Sequence, residues 1–76
     1  MSMDGVAIDR ARAAKIRVGL RLEDLPQVNG IGLVRIGQGY GIKVNLSEPL
    51  ENQEAIPPEV DGVPVVVEFV GRIVAR

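Results

Sequence analysis

The run Ile31-Gly32-Leu33-Val34-Arg35-Ile36-Gly37-Gln38-Gly39-Tyr40-Gly41-Ile42-Lys43-Val44-Asn45-Leu46 decides the fold. Tyr40, Ile42, Val44 and Leu46 alternate with Gly41, Lys43, Asn45 and Ser47, the period of a half-buried strand. Val28 to Ile36 reads as its hairpin partner, with Val28, Val34 and Ile36 sharing a face with Gly30 and Gly32. Residues opposite one another across a hairpin point to the same face, so loop length decides which apolar sets meet. A three-residue Gly37-Gln38-Gly39 loop pairs Ile36 with Tyr40 and Val34 with Ile42, with Gly39 free to turn left-handed. A two-residue loop sets Val34 against Lys43. The three-residue turn is therefore expected.

Upstream, Ala7, Ala11, Ala14 and Val18 recur at helical spacing, with Leu22 and Leu25 beside them and Asp4 placed to cap the first turn. Ile16 to Leu22 also alternates as a strand would. The Ala-rich, basic first half favours a helix over residues 5–18, running on toward Asp24 at most, because Pro26 ends it. Downstream, Pro49, Pro57, Pro58 and Gly62 punctuate an acidic connection over residues 48–62, with room for a helical turn near Glu51–Ala55. Pro64 can open a third strand that runs to Val74. The expected fold is α+β, one domain over residues 1–76. A single N-terminal helix packs on a small, mainly antiparallel three-stranded sheet in the order α-β-β-β.

The 76 residues include no Cys, His, Trp or Thr, which excludes disulfide staples, zinc–thiolate sites and imidazole acid–base chemistry. A domain of this size removes only about 60% of its unfolded surface from water and has little stability to spare. No basic leader followed by an apolar stretch stands at the N-terminus, and Val63 to Val70 is too short for a membrane span. A soluble, cytoplasmic protein is expected.

The net charge is −1, but its parts are segregated. Arg10, Arg12, Lys15, Arg17 and Arg21 lie on the helix, while Glu48, Glu51, Glu54, Glu59, Asp61 and Glu68 follow one another with no basic residue between. The basic helix could track anions or a nucleic-acid backbone. Two aromatic residues, Tyr40 and Phe69, make a poor stacking platform, and the acidic segment opposes such binding. Pairing of the helix with the acidic segment is the plainer expectation.

The glycines form no phosphate loop. Arg35 stands where a dinucleotide fingerprint needs its third glycine, and Gln38 stands where a Walker loop needs lysine. Ser2, Ser47 and Tyr40 supply the only side-chain hydroxyls. The acids of residues 48–61 lack calcium-loop spacing. No catalytic, cofactor-binding or metal-ligating residue is assigned, and an enzyme is not expected.

The segments Val28-Asn29-Gly30-Ile31-Gly32, Gly41-Ile42-Lys43-Val44-Asn45-Leu46 and Ile56-Pro57-Pro58-Glu59-Val60-Asp61-Gly62-Val63-Pro64-Val65 together resemble a small bacterial α+β module. That module occurs alone or ahead of trypsin-like peptidase domains. The likeness covers about residues 27–71, and Asp61-Gly62-Val63-Pro64-Val65 is its most specific part. It implies an α+β module with no set role, a pro-segment-like chaperone or inhibitor of a trypsin-like peptidase being the reading that follows from it, and brings no catalytic residue.

One helix cannot roof both faces of a sheet. With Val34, Ile36, Ile42, Val44, Val65, Val67 and Phe69 turned to the helix, Ile31, Leu33, Val66, Val70 and Val74 form a second apolar face. Ile16 points away from the helix's buried stripe, and Leu20 with it if the helix continues. These seven residues are the expected interface with a partner protein or a second copy.

Overall fold

The computed structural model describes residues 5–50 and 55–70. A helix, α1 (Ile8–Leu22), precedes four strands: β1 (Val28–Ile36), β2 (Gly39–Leu46), β3 (Glu59–Val60) and β4 (Val63–Phe69). The strands form one sheet in the order β1-β2-β4-β3. The β1/β2 and β3/β4 pairs are antiparallel, and the central β2/β4 pair is parallel. A fourth strand and a parallel centre are thus added to the expected α+β plan. Val6 forms a bridge to Tyr40 on the β2 edge that β4 occupies further along. No helix among the described residues is long and apolar enough to cross a membrane.

The helix starts later than residue 5 and continues past residue 18 to Leu22, within the expected limit of Asp24, because tertiary packing of Leu22 outweighs the weak Gly19. Ala11, Ala14, Val18 and Leu22 are buried on the sheet. They meet Ile42, Val44 and Leu46 of β2 and Val63 of β4, joined by Leu50 and Ile56 from the connection. The N-cap position is held by Ala7, whose extended backbone suits a cap but whose side chain offers no acceptor. Asp4, the expected cap, lies outside the described residues. Ala7→Ser should therefore raise stability by about 1 kcal/mol, measured as a higher urea midpoint at unchanged m-value.

The hairpin loop has two residues, so the expected turn is corrected. Ile36 pairs with Gly39 and Leu33 with Ile42, and Gly37 carries the positive φ of 59°. A glycine at the first loop position alone in that region is the type II′ pattern, whose twist matches the strands it joins. Val34 consequently faces Gly41 rather than Ile42 or Lys43. A bulge at Asn29 shifts Val28 onto the same face as Ile31 and Leu33, giving β1 a full apolar set for the helix. Val34 and Ile36 turn to the opposite face, where Gly39 and Gly41 have no Cβ. A Cβ on Gly41 would collide with the Ile36 side chain.

The β3–β4 hairpin turns on Asp61 and Gly62, both at positive φ, the type I′ arrangement. Arg17 pairs with the Asp61 carboxylate at 3.1 Å, and Arg10 Nη2 donates to the Asp61 carbonyl at 3.1 Å. Both contacts are exposed and pin the turn beneath α1 at little energetic gain.

Candidate protein-interaction site

Two of the seven expected interface residues change places. Ile31 and Leu33 pack against the core on the helix side of the sheet and cannot meet a partner there. Their assignment to the outer face followed from the wrong hairpin register. Val66 and Val70 do lie exposed, at 39% and 38%. They flank an ion pair between Lys43 and Glu68 that interrupts the outer face. Ile16 and Leu20 are exposed at 66% and 65%, on the side of α1 away from the sheet. Val74 lies outside the described residues.

The apolar surplus gathers instead in the second half of β4. Val67 and Phe69 share the helix-side face with Ile42 and Val44, yet remain 42% and 57% exposed. The cause is geometric: α1 lies over β1 and β2 and makes few contacts with β4. Next to them, Leu46, Leu50 and Ile56 complete a groove of about 230 Å³. The 48–62 connection is therefore not simply a solvated loop. Leu50 and Ile56, both 8% exposed, tuck back against the sheet and wall the groove. Two large apolar residues inside a Pro- and acid-rich stretch were the available signal for this.

Among the described residues nothing pairs with the outer backbone edge of β4 at the same place. β3 covers its outer edge only at Val63 and Pro64, and Pro58 accepts from Val65 N–H at 2.9 Å. Val70 N–H donates inward to Leu46 O at 3.0 Å. Amides of a strand alternate between its two edges, so those of Val67 and Phe69 face outward, beyond the end of β3. Among the described residues no backbone group meets them.

The five basic residues do not converge. Arg10 and Arg17 reach the Asp61 turn, as pairing with the acidic segment predicts, and Lys15 lies on the opposite flank of α1. A second, polar hollow of about 540 Å³ lies between Gly5–Ala7 and Gly37–Tyr40, and no charged side chain among the described residues lines it. Among the described residues no three acidic side chains gather as metal ligands would. Comparison with protein-family models, with curated proteins and with solved structures finds no match for this chain.

Proposed function

We propose that the protein is a non-catalytic interaction module that takes up an extended segment of a partner protein along β4. The carrying observation is the coincidence, over Val66–Val70, of an open strand edge with apolar side chains exposed on both faces. An added strand satisfies the outward amides of Val67 and Phe69. Its alternate side chains drop into the groove of Leu46, Leu50 and Ile56. Main-chain bonds supply affinity and the groove selects apolar residues. The absence of His and Cys from the whole chain agrees with a binding rather than a catalytic role.

Titrating an alternating Val/Lys hexapeptide into isotopically labelled protein tests this reading. Shifts should concentrate at the Val67 and Phe69 amides and the Leu50 and Ile56 methyls. Phe69→Lys should weaken binding by about tenfold or more, since it removes the groove's largest aromatic contact. Shifts centred on β1, or no loss in Phe69→Lys, would refute it.

A further inference from the structure

Among the described residues Ile16 and Leu20 are the two most exposed large hydrophobics, and they sit one turn apart on the outer stripe of α1. The charges around them are ordered. Arg12 lies one turn before Ile16, and Glu23 lies one turn after Leu20, on the same flank of the apolar pair by helical geometry. Both are exposed, and neither makes an ion pair among the described residues. Glu23 is also the C-cap, and Asp24 follows it. Acidic groups at that end oppose the helix dipole, which Arg21 in the last turn offsets only in part.

We propose that a second copy of this chain docks on the outer face of α1, the two helices running antiparallel about a two-fold axis at the level of Val18. Ile16 of each copy then meets Leu20 of the other. Arg12 of each meets Glu23 of the other, because a two-fold of this kind brings like flanks together while reversing direction. A parallel two-fold would place the two copies of Arg12, and likewise of Glu23, level with one another on opposite flanks, leaving both charges unpaired, so the charge order favours the antiparallel arrangement. The exposed Ala13 and the side-chain-free Gly19, whose Cβ position has nothing within 4 Å, let the helices approach closely. A contact of about three helical turns falls below the roughly 1,200 Å² of standard interfaces, so the dimer exchanges with monomer as concentration changes. This surface lies on the opposite side of the molecule from the outer sheet face and does not depend on the β4 reading.

Sedimentation equilibrium over a wide concentration range, with circular dichroism to verify the fold, provides the test. Wild-type protein should show a monomer–dimer equilibrium. Leu20→Glu should abolish it, and Arg12→Glu or Glu23→Arg should each weaken it by about tenfold through two symmetry-related repulsions. The double variant Arg12→Glu/Glu23→Arg should return association to within about threefold of wild type, because the pairs are re-formed with exchanged signs. A monomer at all concentrations, or a double variant as weak as the singles, would overturn the proposal. So would a dimer that Phe69→Lys abolishes and Leu20→Glu spares.

Discussion

Ile42→Ala is expected to lose about 3–4 kcal/mol, a large share of what so small a domain has. Ile42 is fully buried at the centre of β2, between Leu33 of β1 and Val65 of β4. A cavity there is enclosed by strands on both sides and α1 above, so little can collapse into it. Stability scales with length at roughly 0.05–0.15 kcal/mol per residue, and a domain this small has only about 4–11 kcal/mol in total. Urea denaturation should show the midpoint falling by roughly a third or more at unchanged slope. Val66→Ala, on the exposed outer face, should change it by less than about 0.5 kcal/mol. Equal losses in the two variants would mean that the core is not centred on β2.

Gly39→Ala should cost about 3 kcal/mol for a different reason. Gly39 and Gly5 cross backbone to backbone, and a Cβ on Gly39 would overlap Gly5 and lie 2.8 Å from the Val6 nitrogen. No rotamer relieves a clash with main chain. The N-terminal segment must move off β2, which breaks Gly5 N–H to Ile36 O and the reciprocal bonds between Val6 and Tyr40. Three bonds at roughly 1 kcal/mol each set the magnitude. Hydrogen exchange should show the amides of Val6 and Tyr40 losing protection while those within the β2/β4 pair keep theirs. Uniform loss across the sheet would show that the segment is integral to the core rather than docked on it.

The helix stripe and both hairpin strands were legible because each carries a clean period. The alternation of Tyr40 to Leu46 has one interpretation, and the buried Ala11, Ala14 and Val18 follow the helical spacing. The register was not legible, because β1 holds apolar residues at both parities. Ile31 and Leu33 compete with Val34 and Ile36, and the bulge at Asn29 that breaks the tie leaves no mark in the apolar pattern. Glycines at 39 and 41 were the overlooked clue: the missing side chain at 41 makes room for Ile36 on the outer face, and that at 39 for the backbone of Gly5. The β3–β4 hairpin was also readable, since Asp61-Gly62 is a type I′ signature between Val60 and Val63. Of the interaction surface, exposure of Ile16 and Leu20 follows from the helical wheel. Exposure of Val67 and Phe69 does not, because it depends on where across the sheet the helix lies.

The parallel pairing at the centre of the sheet has a consequence for biogenesis. Hairpin closure of β1 on β2 is local and takes on the order of microseconds. The strand that completes β2 lies beyond the whole connection that follows Leu46. At translation speeds of roughly 5–20 residues per second, β4 reaches its neighbour on the order of seconds later. Throughout that delay the nascent hairpin shows Ile42, Val44 and Leu46 along a vacant edge, a ready landing place for holdase chaperones or for the hairpin of an adjacent polysome-bound chain.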